Sequence, residues 1–182
     1  MSISIGLLEL KSIPMGIKTA DEMLKAADVE LLLATAICPG KYVIVVSGNV
    51  GPVKSAMKVG VCLADSFLIA EHTINNVHES IPAAVLGLSD VGEIESLGII
   101  ETISALTSIR AADVAAKAAN IRLIEVRIAR GLGGKGYLIF TGNVAAVNSA
   151  VRSCEAELEE TGEITSSSII ASPHPSLIEK II

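Results

Sequence analysis

The sequence predicts an α+β fold in which one small domain occurs twice, each copy having a mostly antiparallel sheet with helices packed on one face. Three observations predict it. The chain aligns with itself after a shift of about half its length. Strand-like and helix-like patterns follow each other in the same order in both copies. Finally, 51% of the 182 residues are hydrophobic, which is enough to build a core in each copy.

Two blocks of similar sequence carry the internal repeat. The stretch IGLLELKSIPMGIKTADEMLKAADVELL from Ile5 aligns with LGIIETISALTSIRAADVAAKAANIRLI from Leu97. Further along, VSGNVGPVKSAM aligns with FTGNVAAVNSAV, and the register slips by two residues at the intervening turns, ICPGKY and RGLGGKGY. We therefore expect two domains with the same ferredoxin-like fold, the first over residues 1–90 and the second over residues 94–182.

Within each copy the apolar periodicity predicts a strand, a helix, two strands joined by a short turn, a second helix and a last strand. IGLLEL and LGIIETI are β-rich, IKTADEMLKAA and IRAADVAAKAA have helical spacing, VELLLATAI and IRLIEVRIA return to β, and YVIVVSG and YLIFTG follow the turn. Asn49 and Asn143 are predicted to be N-caps or turn residues ahead of the second helix of each copy. Because so small a sheet leaves its edges uncovered, we expect the chain to oligomerise.

Composition and charge argue against several classes of function. A formal net charge of −6, no Trp, two Tyr and two Phe do not suit nucleic-acid binding. No window approaches the roughly 20 apolar residues of a membrane span, and the N-terminus lacks a basic leader, so we expect a cytoplasmic protein with no membrane partner. The three cysteines argue against a disulfide framework. No catalytic pairing of Ser, Cys, His or Asp is suggested by the spacing, so we expect no enzyme.

Cys38 stands at the tip of the predicted turn in TAICPGKYVIVV. Pro39 keeps it out of the helical region and Gly40 favours a turn, so the thiol is expected to be displayed rather than packed. No second Cys or His lies nearby to share a metal with it. Cys62 and Cys154 lie inside helical patterns, where cysteine usually behaves as a small hydrophobic residue.

The second turn, GLGGKG, has the glycine spacing of a phosphate-binding loop at Gly131, Gly133 and Gly136. A dinucleotide-binding loop must lead from a strand into a helix, whereas the strand-like run YLIF follows here. A Walker loop requires Ser or Thr after its lysine, and Lys135 is followed by glycine. The glycines are therefore better explained as a closely packed turn than as a phosphate site.

Several motifs in fixed order resemble the bacterial microcompartment (BMC) shell domain, in tandem. They are ADEMLKAADVELL, GNVGPVKSAM, AADVAAKAANIRLI, GLGGKGY, TGNVAAVNSAV and PHPSL, and ICPGK is similar to the tandem-domain shell proteins of propanediol-utilisation microcompartments. The resemblance implies a homotrimer shaped as a pseudohexameric tile in a microcompartment shell, with other shell proteins as partners. It also implies that the turns of both copies gather around a central pore, which would place there Ile37, Pro39, Gly40, Gly131, Leu132, Gly133 and Gly134.

The resemblance implies a cofactor role for Cys38. A trimer brings three copies of one thiol together, and iron–sulfur clusters favour thiolate ligands. In the resembled proteins this point holds one 4Fe-4S cluster per trimer, with the fourth iron on a non-protein ligand. We therefore expect electron transfer across the shell, or cluster delivery to it, with an encapsulated or cytosolic redox enzyme as a further partner. Two alternatives stay open, a metal-free metabolite pore and a trimeric small-molecule sensor.

Lys25 and Lys117 occupy equivalent positions in the first helix of each copy. In the resembled family this lysine meets the neighbouring tile, so both are expected at the tile edge. The family often places an arginine before the Pro-His pair that ends a domain. This chain has Ser172 there and Asn76 at the equivalent position of the first copy, so edge contacts are expected to be weaker or different.

Overall fold

The computed structural model describes residues 3–128, 131–158 and 162–181, and in it each repeat forms a four-stranded antiparallel sheet. The first repeat consists of β1 (Ile3–Leu10), α1 (Ile13–Ala26), β2 (Glu30–Ile37), β3 (Lys41–Asn49), α2 (Val50–Ala64), a 3₁₀ turn (Asp65–Phe67) and β4 (Leu68–Ile74). The short helix α3 (Ile81–Val85) follows β4. The second repeat consists of β5 (Ser96–Thr102), α4 (Ala105–Ala118), β6 (Arg122–Ile128), β7 (Gly136–Gly142), α5 (Val144–Leu158), β8 (Ile164–Ile170) and α6 (Pro175–Ile181). The predicted α+β class is confirmed.

Both sheets have the same strand order, β2-β3-β1-β4 in the first repeat and β6-β7-β5-β8 in the second. Their hairpins also keep the same register, since Leu31 pairs with Val46 and Leu123 pairs with Phe140. These pairs are the ones that the sequence repeat aligns with each other. The two extra residues of the second copy therefore fall in the turn between β6 and β7, as the slip in the alignment predicts.

The first helix of each repeat begins at a serine cap. The Ser12 hydroxyl accepts a hydrogen bond from the Met15 amide at 3.4 Å, and Ser104 accepts one from the Thr107 amide at 3.2 Å. The predicted cap at Asn143 is also present, because its side-chain oxygen accepts from the Ala146 amide at 2.9 Å. Asn49 occupies the cap position of α2 but makes no such side-chain bond.

Side chains of neighbouring elements pack so closely on the central strands that each needs glycine at one position. In β5, a Cβ placed on Gly98 would lie 2.3 Å from Cε2 of Phe140, which leaves room for glycine alone. Gly6, its counterpart in β1, has the Met57 sulfur at 2.6 Å from the same point. This explains why the repeat places glycine at both positions.

Each repeat ends in a short helix that the sequence patterns do not predict, α3 after β4 and α6 after β8. By contacts, the described residues divide into two compact units. One extends to Glu79 and includes Gly131–Gly134, and the other holds the remaining described residues from Ser80 onward. The helix α3 thus packs with the second repeat, against β6 and α4.

Candidate functional site

Cys38 lies in the three-residue turn that joins β2 to β3. Its side chain is half-buried, between the buried Ile37 and the exposed Pro39 and Gly40. The peptide bond between Cys38 and Pro39 is cis, and Gly40 has a φ of 71°, the left-handed conformation that glycine favours. The Cys38 thiol is in no disulfide, and because its side chain is only half-buried it is partly accessible to solvent. The predicted display of Cys38 is therefore only partial.

The second turn carries its predicted glycines in left-handed conformations. Gly131, Gly133 and Gly134 have φ values of 74°, 62° and 99°. These residues, with the half-buried Leu132 among them, group with the compact unit that contains Cys38. A Cβ on Gly134 would lie 3.6 Å from the Cys38 carbonyl oxygen. The strand β7 follows this turn directly, which excludes the strand-to-helix geometry of a dinucleotide loop, as predicted.

Cys38 is chemically suited to iron–sulfur ligation only if other chains contribute. Among the described residues, no three Cys, His, Asp or Glu side chains come together in a group that could hold a metal ion. Iron–sulfur clusters are held by several Cys thiolates, so one thiol on one chain is insufficient. Cys38 supplies a soft donor on an accessible turn, with no disulfide competing for it. The residues present therefore fit a cluster shared between symmetry-related copies.

The other two cysteines differ from each other. Cys154 is fully buried in α5, where its thiol donates to the Ala111 carbonyl at 3.3 Å and burial raises its pKa to about 12. It is the small core residue that its helical pattern predicts. Cys62 is exposed, so the expectation that it packs inside is wrong. The buried positions of α2 include Met57, Gly60 and Ala64, and Cys62 lies on the opposite side of the helix.

This difference predicts how the thiols react in the native protein. Iodoacetamide should alkylate Cys62 at nearly the rate of a free thiol and Cys154 at least about 100-fold more slowly, because thiolate and access are both required. Peptide mass spectrometry of timed samples measures both rates in one experiment. Unfolding in guanidinium should make the two rates similar. Equal labelling in the native state would contradict the burial of Cys154.

The two lysines predicted at the tile edge are held in the same way. The Lys25 ammonium lies 2.5 Å from an Asp21 carboxylate oxygen, and the Lys117 ammonium lies 2.5 Å from an Asp113 carboxylate oxygen. In both pairs the aspartate precedes the lysine by one helical turn. The hydrogen bond to Asp21 is the main reason that the pKa of Lys25 is raised. Both helices therefore present an extended lysine at an equivalent, solvent-accessible position, and the edge role stays a prediction.

Equivalent positions of the two repeats differ sharply in burial on one surface. Ile17 in α1 is 56% exposed, whereas Ile109, its counterpart in α4, is 0% exposed. Leu31 in β2 is 37% exposed, and its counterpart Leu123 in β6 is 4% exposed. The residue types are identical, so the difference lies in what covers them. We name the uncovered apolar patch of the first repeat the α1–β2 surface, formed by Ile13, Ile17, Leu24 and Leu31.

The helix that ends each repeat shows the complementary difference. In α3, which packs against β6 and α4, Ile81 is 0% exposed. Its counterpart in α6, Leu177, is 41% exposed, and none of the described residues of α6 is buried. The chain therefore leaves Leu177 of α6 and the α1–β2 surface exposed, whereas their counterparts Ile81, Ile109 and Leu123 are buried. Neither feature was predicted from the sequence.

Comparison with known proteins assigns the family. The model of the BMC domain matches residues 4–77 and 96–173, and each match falls within one of the two predicted domains. The chain belongs to the BMC-domain family. It is a bacterial microcompartment shell protein with two BMC domains in tandem, which confirms the resemblance found in the sequence. Among the described residues, no helix is long and apolar enough to cross a membrane.

Relatives that match nearly the whole of this chain narrow the assignment to one kind of shell protein. The chain is 40% identical over 182 residues to the bacterial microcompartment shell protein PduT of Citrobacter freundii, covering 100% of this chain and 99% of that protein. It is 29% identical over 194 residues to the carboxysome assembly protein CcmO of a Synechocystis strain, covering 98% of this chain and 63% of that one. A crystal structure of a microcompartment protein from Desulfitobacterium hafniense has a TM-score of 0.94 at 41% identity, covering 97% of this chain and 98% of that one. The chain is thus PduT-like throughout its length.

Proposed function

We propose that this shell protein is a homotrimeric tile whose three Cys38 thiolates hold one 4Fe-4S cluster at the central axis. The observation that carries the proposal is the position of Cys38, half-buried on a three-residue turn in a PduT-like chain. One cysteine per chain then suffices, because threefold symmetry supplies the other two ligands. The fourth iron is left for a non-protein ligand.

The trimer is supported by the unmatched surfaces of the two repeats. If α6 of one copy lies on the α1–β2 surface of the next, Leu177 and Ile17 become as buried as Ile81 and Ile109 are within the chain. This contact joins two different surfaces, so it is head-to-tail, and such contacts close into rings when the rotation allows. Three two-domain chains then give a ring of six similar domains.

In this tile the protein would have a structural role with a redox centre, rather than a catalytic one. A cluster at the axis supplies one-electron transfer when bound, and the residues of the chain hold it and limit solvent access to it. The partners would be other shell proteins at the tile edges and a redox enzyme on one side of the shell. The turns that line the axis are those of Cys38 and of Gly131–Gly134.

Anaerobic purification followed by iron and sulfide analysis tests the proposal directly. We expect about four irons and four sulfides per trimer, with the broad visible absorption of an iron–sulfur protein. The trimer itself is measured by multi-angle light scattering. A trimer that holds no iron after anaerobic reconstitution would leave a metal-free metabolite pore as the function, and tight binding of a nucleotide would favour a small-molecule sensor.

The edge role of the two lysines gives a separate prediction. Lys25→Ala together with Lys117→Ala should leave the protein folded and the trimer intact, since neither lysine side chain is part of the core. The concentration needed for two-dimensional sheets should rise about tenfold, because rim charges tune association. Electron microscopy of a dilution series measures this. Lys54→Ala with Lys58→Ala on the exposed face of α2 is the charge-matched control, and sheets that form equally well in both double variants would contradict the edge role.

A further inference from the structure

An ion pair connects each strand-to-strand turn to the first strand of its sheet. In the first repeat the Lys41 ammonium lies 2.6 Å from a Glu9 carboxylate oxygen. In the second, Lys135 lies 2.8 Å from Glu101. The two pairs are equivalent, because each glutamate pairs across the ladder with the residue two positions after its lysine, Glu9 with Val43 and Glu101 with Tyr137. The neighbouring strands therefore place the same charges at the base of both turns.

The first pair lies where backbone pairing no longer fixes the hairpin. The ladder between β1 and β3 ends at Leu10 and Tyr42, so Lys41 lies one residue beyond it. Lys41 still pairs with Ile37 of β2, and that pair closes the turn that carries Cys38. The strand β2 is at the edge of the sheet. The side chain of Lys41 connects the base of the turn back to Glu9 of β1.

Burial distinguishes the first ion pair from the second. The side chain of Glu9 is 1% exposed and that of Lys41 is 26% exposed, whereas Glu101 and Lys135 are 39% and 48% exposed. Glu101 also accepts a hydrogen bond from the Thr165 hydroxyl at 2.6 Å. An exposed ion pair contributes little, but removing one partner of a buried pair leaves a charge without compensation. The constraint is therefore strong at the turn with the cysteine and weak at the other turn.

We propose that Glu9 and Lys41 are positioning residues for Cys38. Their ion pair fixes the first residue of β3 against β1 and so holds the three-residue turn in one conformation. The consequence for cluster binding rests on the proposed function, because three turns must present their thiolates to a common point with little freedom. The consequence for the order of the turn does not depend on any cluster.

The test compares neutral double variants of the two pairs. Glu9→Gln with Lys41→Met removes the ion pair without leaving a buried charge, and Glu101→Gln with Lys135→Met is the matched control. Hydrogen exchange of the apoprotein should be about tenfold faster in peptides covering residues 36–43 of the first variant, and unchanged in the same peptides of the control. Release of iron to a chelator from the reconstituted trimer should also be about tenfold faster in the first variant alone. The single variant Lys41→Arg keeps the charge and should keep both hydrogen exchange and iron release as slow as in the wild type.

Each outcome decides the proposal. Faster exchange confined to the turn, with exchange still slow in Lys41→Arg, supports it even if the wild type holds no iron, in which case the proposed function alone fails. Unchanged exchange at the turn overturns it. Faster exchange throughout the first repeat also overturns it, because the pair would then stabilise the fold as a whole instead of positioning Cys38. Equal acceleration of iron release in both double variants would likewise exclude a role specific to the Cys38 turn.

Discussion

Replacing Cys38 with serine should remove all cluster iron, about four irons per trimer, in a single substitution. A hydroxyl is a poor ligand for iron, and in the proposed trimer one substitution changes all three protein ligands at once. Cys38 is half-buried on a turn, so the change should cost less than about 1 kcal/mol of stability. Iron and sulfide analysis, visible absorption and light scattering should show a colourless trimer.

The other cysteines are the controls for this substitution. Cys62→Ser alters an exposed thiol and should keep both the cluster and the stability of the wild type. Cys154→Ser places a hydroxyl in the core, where the nearby Ala111 carbonyl can accept its hydrogen bond, so it should also keep the cluster if the protein folds. Full iron in the Cys38 variant would contradict the cluster site, as would loss of iron with Cys62→Ser.

The longer elements could be predicted from the sequence because their apolar patterns repeat. Both copies of the strand–helix–hairpin–helix–strand order have the predicted positions, and the slip in the alignment correctly placed the extra residues in the second turn. The repeat also identified the glycines at positions 6 and 98, where the structure shows Met57 and Phe140 in the space of a Cβ. Because each pattern occurs in both copies, an element predicted in one copy was supported by the same element in the other.

The short helices could not be predicted in this way. The helix α3 spans five residues and α6 seven, which is too short for a 3.6-residue periodicity to be distinguished from a loop. The helical form of α3 is stabilised by packing, since its Ile81 is fully buried. The same limit explains Cys62, because an apolar helix such as α2 has hydrophobic residues on both sides and the sequence does not show which side is covered.

The ion pairs at the turns could be predicted from the sequence only in part. Glu9 and Glu101 align in the repeat. Lys41 is the first residue of β3, and Lys135 directly precedes β7. A glutamate within an otherwise apolar central strand needs a partner, and the aligned lysines at the bases of the turns could have been proposed for it from the sequence. What the sequence could not give is the burial of Glu9 relative to Glu101, because it depends on tertiary packing.

The ring that we propose predicts that one charged residue in α6 prevents trimer formation. Leu177→Asp removes an apolar side chain worth about 1.5–3 kcal/mol per contact and introduces a charge into the interface. Because 1.4 kcal/mol is about a factor of ten in affinity, light scattering at micromolar concentration should show a folded monomer. Leu31→Asp on the α1–β2 surface should do the same from the other side of the contact. Leu88→Asp is the control, since Leu88 is 72% exposed outside both surfaces and its change should leave the trimer intact.

Mixing the two monomeric variants distinguishes a head-to-tail ring from other assemblies. The Leu177→Asp chain keeps an intact α1–β2 surface, and the Leu31→Asp chain keeps an intact α6. One good contact therefore forms between them, while the other two surfaces of the pair both carry the added charge and cannot recruit a third chain. An equimolar mixture should give a heterodimer and no trimer, although each variant alone stays monomeric. A mixture that remains monomeric, or that restores the full trimer, would show that α6 does not dock on the α1–β2 surface of the next copy.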